Sequence, residues 1–92
     1  MCGIYGITAK DEAFINKYID VCSHRGPDGR GVWSDNFVTL GHNLLAITEQ
    51  STNSQQPWTT PRGNILIYNG EIFNYYDLCA KFPDFIPKTE CD

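Results

Sequence analysis

From Asp11 onward, Phe14, Ile15, Tyr18, Ile19 and Cys22 recur three and four residues apart, the spacing of a single helical face. A helix cannot bury such a stripe on itself, so the rest of the chain must supply a surface to receive it. Asp11 and Glu12 suit the positive N-terminal end of this helix. Gly26 and Pro27 bar its continuation, which places its stop near Ser23. Before it, residues 3 to 8 alternate apolar with small or polar side chains and predict a strand that begins almost at the N-terminus. After it, residues 31 to 34 and 37 to 42 flank the turn-forming pair Asp35-Asn36 and predict a hairpin, with residues 44 to 47 as an extension. The expectation is a helix packed on a sheet, an α+β fold. Residues 49 to 63, rich in amides, hydroxyls and proline, read as a long loop that Trp58 could pin. The apolar run 64 to 68 predicts a buried strand ending at Asn69-Gly70, and residues 75 to 82 a short helix. The tail from 83 to 92 holds two more prolines and no convincing cap.

Ninety-two residues suffice for one small domain or part of a larger one, and leave no room for a second. With 41% apolar and 20% charged residues the chain has a globular balance, neither disordered nor membrane-spanning. No apolar run approaches the roughly 20 residues of a membrane helix. The N-terminus also lacks the basic-then-apolar pattern of an export signal, so the expected location is cytoplasmic. Seven basic against eleven acidic residues give a net charge of -4, with the basic ones scattered, which argues against nucleic acid as a partner. A reducing compartment would keep Cys2, Cys22, Cys79 and Cys91 as thiols. No CxxC or HxxxH spacing joins them to His24 or His42, so no metal site is expected, and Cys22 and Cys79 read as small buried hydrophobes on helices.

Cys2 carries the strongest chemistry by position. Removal of Met1 would place a free α-amine, of ordinary pKa about 8, on the same residue as the thiol, where it could move protons directly or through a water. Taken alone, the cysteine reads first as the start of a buried strand. HRGPDGRG at 24 to 31 and YNGEIFNY at 68 to 75 fall at element ends, where binding groups collect. Asn69-Gly70 offers a side-chain amide and an unobstructed backbone N–H to an oxyanion, or forms a simple hairpin turn. Arg25 and Asp28 could be an ion pair that ties down a loop. Glu71 and Asp92 could hold a ligand ammonium or be ordinary surface acids.

In this order, MCGIYG, HRGPDGRG, LGHNLLAI, QQP at 55 to 57, YNGEIFNYYDL and the terminal TECD resemble the N-terminal glutaminase domain of glutamine-dependent asparagine synthetases. The resemblance spans essentially all of residues 1–92. It implies a partial αββα sandwich of the N-terminal nucleophile hydrolase type, with glutamine as substrate and Cys2 as the nucleophile that cleaves its side-chain amide. It gives Asn69 and Gly70 the oxyanion-hole role. It gives Ile47, Thr48, Glu71 and Asp92 the two ends of the substrate's amino-acid moiety, and Arg25 the shaping of the site. No cofactor is implied for this segment. ATP and Mg2+ belong to the family's synthetase domain, normally in the same chain, which makes asparagine from aspartate.

Two departures stand out. The family usually has arginine at the position of Leu44, where it grips the glutamine α-carboxylate, and losing such a partner costs about 2 to 5 kcal/mol. Arg25, Arg30 or Arg62 could substitute, the substrate could lack that carboxylate, or the domain could be a non-catalytic remnant or small binding protein of the same fold. The second departure is length. The family's domain continues past Asp92, and an incomplete sandwich would expose sheet edges and apolar faces, so the segment alone is expected to be unstable or to associate.

Overall fold

The computed structural model describes residues 2–47 and 54–89. Three strands, β1 (Gly3–Ile7), β2 (Gly29–Ser34) and β3 (Thr39–Leu44), form an antiparallel sheet in the order β1-β3-β2. Gly3 lies opposite Asn43 and Ile7 opposite Thr39 on one side of β3; Gly29 lies opposite Leu44 and Ser34 opposite Thr39 on the other. Central β3 is the best-covered strand, with Thr39, Gly41, His42, Asn43 and Leu44 all buried. The expected hairpin forms, but its loop is longer than the Asp35-Asn36 pair. Asp35 Oδ1 accepts from the amides of Phe37 (2.7 Å) and Val38 (2.8 Å), which takes both residues out of the strand and leaves Phe37 exposed. Residues 45 to 47 do not extend β3.

Helix α1 (Glu12–Val21) covers one face of this sheet. Asp11 caps it, its Oδ1 accepting from Phe14 N at 2.9 Å. Thr39 fixes the approach: its hydroxyl accepts from Asp11 N (2.9 Å) and donates to Ala9 O (2.7 Å). Gly41 permits close docking, since a Cβ there would run into the side chains of Ile15 and Ile19. Those two isoleucines are 2% and 1% exposed, whereas Phe14 and Tyr18 are nearly half exposed and stack on each other with ring centroids 4.9 Å apart. The buried stripe is therefore narrower than its sequence pattern, because a three-stranded sheet covers only the middle of the helical face. At the rim, Arg30 reaches Asp20 (2.7 Å) and Asn16 Oδ1 (2.8 Å), and Ser34 donates to Glu12 (2.8 Å).

The opposite face of the sheet carries Ile4, Leu40, His42 and Leu44, given the register and the strict alternation of side chains. Residues 55–57 lie against it. Gln55 Nε2 donates to the Arg30 carbonyl, and Gly31 lies so close to the Gln56 carbonyl that a Cβ would not fit. A second sheet pairs β4 (Trp58–Thr59) with β5 (Ile65–Leu66), so the expected 49-to-63 loop contains a short strand. Helix α2 (Tyr75–Lys81) follows and has no buried residue. The strand expected at 64 to 68 is reduced to two residues, and Leu66 is 54% exposed. With β4 as its sole strand partner among the described residues, β5 is paired along one edge and covered little. The architecture is α+β, two small sheets and two helices, and none of the described helices is long and apolar enough to cross a membrane.

Candidate active site

Cys2 immediately precedes β1 and is half-buried. Continuing the β1–β3 register by one step sets it across from Leu44, at the end of the sheet where β3 gives way to irregular chain. The Leu45 amide donates to Cys2 Sγ at 3.3 Å, and the Leu45 carbonyl lies 3.8 Å from the same sulfur. Arg25 Nη2 donates to the Cys2 carbonyl at 3.3 Å. The nucleophile candidate is thus fixed by its own strand, by the residue after β3 and by the RGPD segment.

That segment begins with a single 3-10 turn at Ser23–Arg25, which reverses the chain after α1. Asp28 N donates to the Leu44 carbonyl (3.0 Å), and Asp28 Oδ2 accepts from Ala46 N (2.9 Å). The anticipated Arg25–Asp28 ion pair does not form. The two side chains diverge, Arg25 to the start of β1 and Asp28 to the chain leaving β3, because the intervening Gly26-Pro27 crosses the end of the sheet. Asp28 thereby orders the backbone leading to Ile47, whose own side chain is 77% exposed. Leu44 is 6% exposed, with its side chain beside Gly29 and Gln55. Beneath this end of the sheet the Tyr5 phenol is raised above its ordinary pKa, mainly by burial and further by the neighbouring Cys22 thiol, with Arg25 opposing.

Asn69, Gly70 and Glu71 lie in the loop after β5, with Asn69 half-buried and the other two exposed. Among the described residues no hydrogen bond joins any of the three to Cys2. Thr48 and Asp92 lie outside the described residues, as does Met1. Cys2, Cys22 and Cys79 are free thiols. Of the two histidines, His24 is exposed in the 3-10 turn and His42 is fully buried in β3. Burial lowers the His42 pKa, and the Tyr68 backbone carbonyl beside the ring partly opposes this.

Three features escaped sequence reasoning: the Asp28–Ala46 tie, the docking of Gln55 and Gln56 on β2, and the interior position of His42. The first two depend on long-range neighbours and leave no periodic trace. For His42 the alternation of β3 was a usable signal, since it sets the histidine on the same face as Leu40 and Leu44.

A family model described as a glutamine amidotransferase domain matches residues 1–91. Among similar proteins, amidase chry2 of Gibberella zeae is 39% identical over 80 residues, covering 80% of this chain and 12% of that protein. Asparagine synthetase [glutamine-hydrolyzing] 3 of Bacillus subtilis is 34% identical over 86 residues, 85% of this chain and 14% of the relative. Asparagine synthetase B [glutamine-hydrolyzing] of Escherichia coli is 30% identical over 101 residues, 100% of this chain and 18% of the relative. The chain thus spans less than a fifth of the length of these three relatives. No solved structure matches it. With nearly its whole length matched, and with Cys2, the RGPD segment and the Asn69-Gly70 loop in the order described, this chain belongs to the glutamine amidotransferase domain family.

Proposed function

We propose that this segment is part of a glutaminase half-site in which Cys2 hydrolyses glutamine to glutamate and ammonia, within a protein of the glutamine-hydrolysing asparagine synthetase type. The observation that carries this is the thiol at position 2, held 3.3 Å from the Leu45 amide at the open end of the sheet. The helix on one sheet face and the Gln55–Gln56 segment on the other accord with the first layers of an αββα sandwich.

With Met1 removed, the Cys2 α-amine takes the thiol proton, and the thiolate attacks the side-chain carbonyl of glutamine. The carbonyl oxygen becomes an oxyanion, stabilised by the Asn69 side-chain amide and the Gly70 N–H, each such donor being worth about 3 kcal/mol. Collapse of the tetrahedral intermediate breaks the C–N bond, the leaving nitrogen takes the proton from the amine, and ammonia departs. Water then attacks the γ-glutamyl thioester, releasing glutamate and the thiol. Backbone at Ile47 and Thr48, with Glu71 and Asp92, would hold the amino-acid end. ATP and Mg2+ are assigned to a synthetase domain and to no residue of this segment.

Leu44 leaves the substrate α-carboxylate without the family's arginine, and the arrangement favours Arg25 among the alternatives. Arg30 lies on the helix-facing side of the sheet, engaged with Asp20 and Asn16. Arg62 is exposed near the turn between β4 and β5. Arg25 already reaches the Cys2 backbone. The expected result is that Arg25→Lys in the intact protein raises KM for glutamine about tenfold while Arg30→Lys leaves it within about twofold. Equal effects would remove Arg25 from that role. For the nucleophile, Cys2→Ala is expected to lower glutamine hydrolysis by at least about 1,000-fold in an ammonia-release assay. Retained hydrolysis would exclude Cys2 as the attacking group.

A further inference from the structure

The loop that carries Asn69 and Gly70 has little of its own to hold it. β5 is two residues long, α2 has no buried residue, and Gly70 and Glu71 are exposed. Oxyanion donors stabilise a transition state only when they are fixed before the charge develops, and a misplacement of about 1 Å costs on the order of 100-fold in rate. Something must therefore tie this loop to the sheet that carries Cys2.

The tie is at Tyr68. Its N–H donates to Gln56 Oε1 at 2.5 Å, and its backbone partly offsets the lowering of the His42 pKa by burial. Both partners are fixed to the first sheet. Gln56 is pressed against Gly31 of β2, with Gln55 donating to the Arg30 carbonyl. His42 is 0% exposed on central β3, in register with Gly31 on one side and Ile4 on the other. Among the described residues neither imidazole nitrogen reaches a partner in full hydrogen-bond geometry. A polar ring buried on a sheet face is costly where an apolar side chain would fill the same space, and a neutral imidazole offers one N–H to a carbonyl. The cost is understandable if the ring has a task at the Tyr68 peptide.

We propose that His42 and Gln56 are positioning residues that grip Tyr68 by its two backbone groups and so aim the following Asn69-Gly70 pair at the end of the sheet where Cys2 lies. This rests on the oxyanion role given above to Asn69 and Gly70. Neither residue touches the reacting atoms. His42 offers an N–H to the Tyr68 carbonyl, and Gln56 supplies the acceptor to its amide.

The test compares His42→Leu with His42→Gln, and Gln56→Leu with Gln56→Glu, in the intact protein. The apolar variants are expected to lower kcat for glutamine hydrolysis about 10- to 100-fold with KM within about threefold. Each polar variant, which keeps the donor or the acceptor, should recover at least half of that loss on a logarithmic scale. Hydrogen exchange at the amides of residues 69 to 71 should quicken at least tenfold in the apolar variants, while residues 39 to 44 stay protected. Unchanged kcat, an effect confined to KM, polar variants as poor as the apolar ones, or unchanged exchange at 69 to 71 would each overturn the proposal. If His42→Leu fails to fold, the Gln56 pair decides the question. Failure of the glutaminase assignment reads differently: wild type and Cys2→Ala would then release ammonia equally, whereas exchange at 69 to 71 reports the grip on Tyr68 whether or not glutamine is turned over.

Discussion

Residues 2–47 and residues 54–89 have similar chemistry and very different cover. In the first region Ile15 and Ile19 are buried in a helix-on-sheet core, Leu44 is buried on the other face of the sheet, and the central strand is paired on both edges. In the second, Leu66, Phe73, Tyr76, Phe82, Phe85 and Ile86 are all more than half exposed, and α2 has no fully buried residue. Apolar content alone therefore does not make a core. A stripe becomes one only where another element faces it, and α1 has the sheet while α2 is covered only in part among the described residues. The proposed site joins the two regions, with its nucleophile on the covered side and its oxyanion pair on the uncovered side.

The sharpest way to break this comparison is to remove a side chain from the covered region. Ile19→Ala deletes buried methyl groups between α1 and Gly41 and is expected to cost about 2 to 5 kcal/mol. Hydrogen exchange should show protection lost together across β1, β3 and α1, as expected of one cooperative unit. A loss below about 1 kcal/mol would mean that the helix-on-sheet contact is not the main core.

Much of the covered region was legible from the sequence. The 3.6-residue period of Phe14 to Cys22 and the alternation of residues 3 to 8 are local signals, and both elements stand where they were expected. Phe14 and Tyr18 share the stripe yet fall outside the core, because periodicity reports which way a side chain points and not how wide the opposing surface is. The run at 64 to 68 reads as a buried strand for a related reason: four consecutive apolar residues, Ile65 to Tyr68, imply two covered faces, and coverage comes from distant chain. At the site, Cys2 and the RGPD and Asn-Gly segments were visible as residues at element ends. The ties that organise them were not. Arg25 to Cys2, Asp28 to Ala46 and Gln56 to Tyr68 depend on which ends meet in space.

His42 sharpens the comparison from the joint between the two regions. Burial holds its pKa below the ordinary histidine value, so between pH about 6.5 and the lowered folded value the unfolded chain binds the proton and the folded chain does not. Stability then rises with pH. The contribution is complete above the ordinary value and is lost as pH falls below it. Denaturant midpoints for wild type relative to His42→Gln should decline from pH 7.5 to 5.5, with titrations shared by both proteins cancelling. A difference independent of pH would show that the folded protein leaves the ring as open to water as the unfolded chain does, and a difference that grows as pH falls would show the ring charged in the fold.

The smallest expected effect tests the uncovered side. Phe73 is 96% and Tyr76 83% exposed, so neither aromatic ring loses much water contact on folding of the described chain. Phe73→Ser and Tyr76→Ser should each shift stability of the 92-residue chain by no more than about 0.5 kcal/mol, as is usual for surface positions. Their effect should fall on association, because contiguous exposed apolar surface promotes contacts between molecules. Sedimentation of the same chain should show less self-association for the double variant than for wild type at equal concentration. If instead either substitution costs as much as Ile19→Ala, these rings belong to a core within this chain, and the division into covered and uncovered regions fails. If stability and association are both unmoved, the exposed aromatics are too dispersed to act as one surface, and exposure of single side chains carries no consequence for association.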